Sequence, residues 1–373
     1  MTKRKYDLNI IIPVLIFFMV SILSIKSASL YTSKALGNLV LKQTIWYIIG
    51  ILLVIIITKL RNKTLYKISN VLYIIGNIIL LYLLIFGKEI NGSKCWLVIP
   101  GIGNIQPSEF MKINLMLTLS IIIDKYHKNN TKTLKDEFVL LSKTLLVTLI
   151  PSILTFLEPD TGSVIIYLII YFSMILTSNI NKKWFIALFL SIIVVIGSII
   201  YLYFFKQNLF ISIFHTQMFY RLDRLFNWKN GSGMQLENAL SSIGGSGIFG
   251  YGFKRTPLYF PESSTDFIFA VFSSNFGFII STILIITILY FDIYIINLAN
   301  KTNNYKNKFI LIGISSCLIF QHIQNIGMTL GILPITGITL PFISYGGSSL
   351  LSYMIMLGII INITREKNLK YIH

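Results

Sequence analysis

Ten stretches of this 373-residue chain are too apolar to be left in water: Leu8–Ile25, Ile45–Thr58, Ile68–Phe86, Phe110–Ile123, Thr144–Leu157, Gly162–Leu176, Trp184–Phe205, Phe267–Leu289, Phe309–Leu330 and Ile338–Ile361. A helical bilayer crossing needs about 20 apolar residues, because lipid offers no partner for a free backbone N–H or C=O. The second, fourth, fifth and sixth stretches are short as drawn and must take in flanking residues. With 54% hydrophobic and 12% charged residues, a soluble fold is excluded. The pattern predicts an all-α polytopic membrane protein of about ten transmembrane helices. It forms a single integral domain over 1–373, with one large outer loop, 206–265, between helices 7 and 8.

The formal net charge of +18 would suit a nucleic-acid partner, but its positive residues lie in short clusters between the apolar runs. Such clusters set membrane topology instead. With the amino terminus inside, 20 Lys and Arg fall in the inner connections and five in the short outer ones. That bias predicts cytoplasmic termini and an external 206–265 loop, whose length exempts it from the charge rule. No nucleic-acid partner is expected. Met1–Lys5 ahead of Leu8–Ile25 resembles a signal peptide, but no small-residue cleavage site follows and further spans do, so a first membrane helix is expected. Cys95 and Cys317 and the four scattered histidines have no metal or disulfide spacing.

Four polar strings interrupt this apolar background, all on the same predicted side. The first holds Cys95-Trp96 and then Gln106-Pro107-Ser108-Glu109-Phe110-Met111-Lys112. Pro107 suits the first position of a helix, and Glu109 and Lys112 then share a face, as a substrate site or as a local ion pair. Glu158-Pro159-Asp160-Thr161-Gly162 is either a tight turn or a pair of acids with no cation beside them. Pro261-Glu262-Ser263-Ser264-Thr265-Asp266-Phe267-Ile268-Phe269-Ala270 puts Asp266 where the long loop meets a span. There Thr265 or Asp266 could cap the helix, or Asp266 could do chemistry. The last string, Pro341-Phe342-Ile343-Ser344-Tyr345-Gly346-Gly347-Ser348-Ser349, could break a helix and expose backbone donors, or permit close packing.

In this order, the four strings resemble the SEDS family, which includes RodA, FtsW and SpoVE. The likeness runs from Trp96 to the last span. It implies a SEDS-type fold and a peptidoglycan glycosyltransferase that polymerises lipid II at the outer face of the bacterial cytoplasmic membrane. It also implies a class B penicillin-binding protein as partner. Asp266 matches the family's essential acid, and Glu109, Lys112 and Asp160 match its polar cavity residues. Trp96, Ser344, Tyr345, Gly346 and Gly347 lie within matching strings and are candidate substrate contacts. Arg221, Arg224 and Gln235 fall where the family's outer loop carries similar residues. Four positions depart from the family's pattern: Cys95 stands where Arg is common, Ser264 where His is, and Ser274 and Asn275 where two acids are.

The implied reaction joins a C4 hydroxyl to an anomeric carbon and expels a lipid diphosphate. Asp266 could take the hydroxyl proton, or hold a divalent cation (Mg or Mn) against the diphosphate. Lys112, Arg221 and Arg224 are candidates for the leaving group. The competing reading is a transporter, a flippase of the lipid-linked precursor. Transporters place their sites near midplane between structural repeats, whereas these acids sit at helix ends and no repeat is visible.

Overall fold

The computed structural model describes residues 7–29, 38–89, 93–99, 103–129, 133–226 and 233–370. Its helices are α1 (Leu8–Ala28), α2 (Leu39–Phe86), α3 (Pro107–Lys128), α4 (Leu134–Leu157), α5 (Thr161–Leu176), α6 (Lys182–Phe205), α7 (Gln207–Phe226), α8 (Gly233–Gly244), α9 (Ile268–Asn300), α10 (Tyr305–Thr329) and α11 (Gly347–Lys370). A two-stranded antiparallel ribbon, β1 (Leu97–Ile99) with β2 (Gly103–Ile105), precedes α3. Among the described residues, six helices are long and apolar enough to cross a membrane: α1, α2, α4, α9, α10 and α11. Local chemistry starts them where the sequence allows. Pro107 occupies the first turn of α3, Thr133 and Asp136 form a capping box on α4, and Asp160 caps α5.

The fold is inside out relative to a soluble bundle, as a lipid solvent requires. Ile48, Ile51, Leu52 and Ile55 of α2 are exposed, while Gln43, Glu109, Lys112, Gln321 and Asn325 are buried. At the centre, Phe342 stacks on Phe17 at 5.9 Å and meets Phe291 edge-on at 5.9 Å and Tyr353 at 5.4 Å. One ring thereby joins α1, α9, α11 and the segment before α11.

Two helices are folded back on themselves. The 48 residues of α2 would span about 72 Å if straight, more than two bilayer cores. Arg61 breaks it at φ +59° and ψ 150°. Contacts give the directions of the limbs. Trp46, Gly50 and Ile57 meet Gly347, Met354 and Gly358, so the first limb runs with α11. Gln106, Glu109 and Lys112 meet Ser348, Ser352 and Tyr353, so α3 also runs with α11. Gly76 and Leu72 meet Met111 and Asn114, so the second limb runs against both. Both limbs of α2 are therefore crossings, matching the second and third predicted spans.

The eighth predicted span, Phe267–Leu289, differs. The Asp266 carbonyl accepts from Asn325 Nδ2 at 2.9 Å, and the Asp292 carboxylate meets His322 Nδ1 at 2.9 Å. A straight α9 would hold residues 266 and 292 about 39 Å apart, yet both reach one turn of α10. The helix folds back at Gly277, whose φ is +74° and ψ −173°. The short limb, 268–276, climbs from Asp266 toward the C-terminal end of α1. At its far end Asn275 Oδ1 accepts from Ser27 Oγ, near the end of α1. At its near end, Thr265 is tied through Ser344 and Gln43 to Ser21, six residues and about 9 Å further down α1. Asp266 is thus recessed into the bundle.

The break is closed by the chain ahead of it. Tyr251 and Gly252 N–H donate to the carbonyls of Ser274 and Asn275, and Phe278 and Ile279 N–H donate to those of Gly247 and Ile248. Gly250 (φ +80°) and Gly277 meet backbone to backbone, where a Cβ on either would collide. Asn275 completes the joint. It accepts from Arg255 N at 3.2 Å and donates to Thr256 Oγ1 at 3.0 Å and Val271 O at 2.5 Å. An ionised acid could make neither donation. Gly250 and Gly252 of the expected glycine-rich loop therefore serve a backbone joint. Finally, α11 begins at Gly347, later than the apolar run from Ile338 suggested, because Pro341 and the positive φ of Gly337 and Phe342 keep that stretch non-helical.

Candidate active site

Asp266 follows a turn built on Glu262, whose carbonyl accepts from Thr265 N at 3.2 Å and Phe267 N at 3.0 Å. Thr265 Oγ1 also donates to Glu262 Oε2 at 2.6 Å. Three successive carbonyls are then pinned from outside. Ser264 O accepts from Tyr345 N at 2.9 Å, Thr265 O from Ser344 Oγ at 2.6 Å, and Asp266 O from Asn325 Nδ2 at 2.9 Å. The residue that caps α9 is Phe267, with no side-chain capping bond, so neither Thr265 nor Asp266 is spent as a helix cap. Among the described residues no donor reaches the Asp266 carboxylate. Its Oδ2 faces Gly337, where an added Cβ would stand 3.6 Å away. Burial, and secondly the charge of Glu262, push this carboxyl up to about 7. The main chain is fixed and the carboxylate is left open, which suits a group that must exchange a proton or a ligand.

Asp160 is differently placed. Its Oδ1 accepts from Ser163 N at 3.1 Å, and its Oδ2 from Gln106 Nε2 at 2.7 Å and Ser108 Oγ at 2.8 Å. It locks the starts of α3 and α5 together. Beside it, Glu158 is 0% exposed, and both its oxygens lack hydrogen-bond partners. Burial first, then the Asp160 charge, push the Glu158 carboxyl up to about 8. Cys95, where the resemblance led one to expect Arg, is buried near both acids, and burial pushes its thiol up to about 12. Trp96 beside it is half-buried.

Glu109 and Lys112 pair at 2.6 Å, with Lys112 0% exposed. Ser352 Oγ donates to Glu109 Oε2 at 3.1 Å, and the amine lies 5.3 Å from the centre of the Tyr353 ring. Tyr353 OH in turn accepts from Gln321 Nε2 at 2.9 Å and lies 3.3 Å from Thr339 Oγ1. Gly346 N–H donates to Gln43 Oε1 at 3.4 Å, and Gly347 packs on the Trp46 ring. Ser344, Tyr345, Gly346 and Gly347 thus meet α2 and the Asp266 turn. Gln235 of α8 donates to Pro261 O at 3.1 Å and braces that turn. The side chains of Arg221 and Arg224 lie outside the described residues.

Sequence reasoning missed Asn325 and Gln43 as site residues. The signal was available: Gln321, His322, Gln324 and Asn325 crowd one turn of an apolar span, and lipid-exposed positions do not tolerate that. Among the described residues no group of three or more His, Cys, Asp or Glu could hold a metal ion. A cation held at Asp266 would have to draw its other ligands from outside such a cluster, as Mg²⁺ does with water and phosphate oxygens.

Residues 7–369 match the FtsW/RodA/SpoVE family, described as "Cell cycle protein". The chain is 31% identical to the probable peptidoglycan glycosyltransferase FtsW of Coxiella burnetii, over 97% of each chain. It is 29% identical to the stage V sporulation protein E of Bacillus subtilis, over 97% of this chain and 98% of that one. A solved structure on the coordination of polymerization and crosslinking by a peptidoglycan synthase complex shares the fold. Its TM-score is 0.79 at 23% identity, covering 97% of this chain and 98% of that chain. With the family match across nearly the whole length and the recessed acid in place, the chain belongs to the FtsW/RodA/SpoVE family of cell cycle proteins.

Proposed function

We propose that this protein is a peptidoglycan glycosyltransferase that polymerises lipid II at the outer face of a bacterial cytoplasmic membrane. The observation that carries the reading is the Asp266 carboxylate, held through its main chain at three successive carbonyls and open at its side chain. The names of the relatives support the reaction type. In the reaction, the C4 hydroxyl oxygen of one lipid-linked disaccharide bonds to the anomeric carbon of another chain. The bond from that carbon to the diphosphate breaks, and the lipid diphosphate leaves with the electron pair. Asp266 accepts the hydroxyl proton; a carboxyl held near 7 suits a base working at neutral pH. In the alternative role, Asp266 would hold a divalent cation in place of taking the proton, and that cation would supply the positive charge to neutralise the departing diphosphate. A class B penicillin-binding protein is the partner we infer, consistent with the synthase complex that shares the fold.

The direct test is purified protein with its cognate transpeptidase and labelled lipid II, scored for glycan chains, with and without a chelator. Absence of chains under all conditions would sink the reading. Sidedness follows from the charge bias, with both termini cytoplasmic. Reporter fusions at Asn130 and Asn303 are expected to read cytoplasmic and one at Ser232 external; an external signal at Asn130 reverses the assignment.

A further inference from the structure

We propose that Asn325 is a positioning residue that holds Asp266 at its working distance from the segment before α11. This rests on the glycosyltransferase reading and adds a residue to it. Asn325 is 0% exposed, on α10. Its single amide nitrogen donates to Asp266 O at 2.9 Å and to Ile338 O at 2.8 Å. Those carbonyls belong to two irregular segments, 262–267 and 331–346, which approach each other at the site. The Asp266 carboxylate faces Gly337, the neighbour of Ile338. One side chain therefore sets the gap between the acid and the wall it faces. The orientation of the amide follows from its partners: two carbonyls demand the nitrogen, and a flipped amide would set oxygen against both. The cost is visible at the other end, where Oδ1 is buried without a partner. A buried polar atom left unpaired is disfavoured, so both donations must outweigh it.

The adjacent residue supplies a control. Gln324 Nε2 donates to Pro334 O at 2.8 Å, so it anchors the same 331–346 segment from the same turn of α10 without touching Asp266. A role limited to anchoring that segment would give Asn325→Leu and Gln324→Leu the same phenotype. A positioning role separates them. A misplacement of the reacting group by about 1 Å costs roughly 100-fold. Substrate binding, made by other groups, is not affected.

The experiment is steady-state lipid II polymerisation by the full chain with its transpeptidase, each variant normalised to protein in the membrane. Asn325→Leu is expected to lower kcat about 10- to 100-fold with KM within about twofold of wild type. Gln324→Leu is expected to keep both within about twofold, because it leaves the Asp266 carbonyl bonded. If Asn325→Leu fails to accumulate, Asn325→Ser, which keeps one donor, is read instead and should show a smaller loss in kcat alone. The inference is overturned if an accumulating Asn325 variant turns over as wild type, loses kcat and KM together, or matches Gln324→Leu. It is equally overturned if neither Asn325 variant accumulates, since the residue then serves folding. A wild-type protein that makes no glycan would instead remove the glycosyltransferase reading.

Discussion

Asp266→Asn is expected to accumulate in the membrane like the wild type and to polymerise lipid II at least about 100-fold more slowly. General base catalysis contributes roughly 10²- to 10⁴-fold, and the amide can neither take the proton nor supply charge to a cation. The fold has little reason to object. The carboxylate accepts no hydrogen bond from the described residues and does not cap α9, and Asn has the same shape. Its carboxyl is raised from 3.8 to about 7, so the native state holds the neutral form more readily than the unfolded chain does. Any stability this contributes is present at low pH and lost as pH rises through about 7; removing the charge therefore does not weaken the fold at neutral pH. Activity runs the other way. The ionised form is the reactive one, so the wild-type rate should fall as pH drops through about 7. Near-wild-type polymerisation by Asp266→Asn would return the residue to a structural part.

Lys112→Met should damage the fold itself. The amine is wholly buried 2.6 Å from Glu109, and truncating one partner leaves an uncompensated carboxylate inside the bundle. Breaking a buried pair this way costs about 3–5 kcal/mol, a large share of the stability of any domain. Thermal unfolding in detergent should show a clear drop for Lys112→Met. Glu109→Gln with Lys112→Met should recover most of it, because no buried charge remains. A double variant no more stable than the single one would mean that Lys112 is held by more than Glu109. A double variant that recovers its stability yet makes no glycan would point to a contact between Lys112 and the leaving diphosphate.

Much of this architecture is legible without coordinates, because a bilayer is a severe solvent. Lipid removes water as a hydrogen-bond partner, so every crossing must announce itself as a long apolar run. The two limbs of α2, the cap at Asp160, Pro107 opening α3 and the Glu109–Lys112 pair all follow from residue type and spacing. The polar strings were also legible as candidates for one site, since membrane-embedded polar residues are expensive without a purpose.

What hydropathy cannot carry is direction within an apolar run, since residues on either side of a reversal are equally apolar. Phe267–Leu289 therefore reads as one span, and only the tertiary structure shows the fold at Gly277, where backbone from 247–252 closes the broken ladder. The same limit hid the parts played by Ser344 and Tyr345, which hold the Asp266 turn by an O–H and a backbone N–H, and by Asn325, 59 residues from the carbonyl it bonds. The choice between cap and free acid at Asp266 was likewise closed to the sequence. A cap is defined by where the first turn begins, and here long-range hydrogen bonds to 264–266 put that start at Phe267 and left the carboxylate facing Gly337. The sequence alone determined which residues enter the membrane and which of them are too costly to be there idly. Which of those costly groups are spent on each other, and which one is left open, was decided by contacts between segments far apart in the chain, which local spacing does not encode.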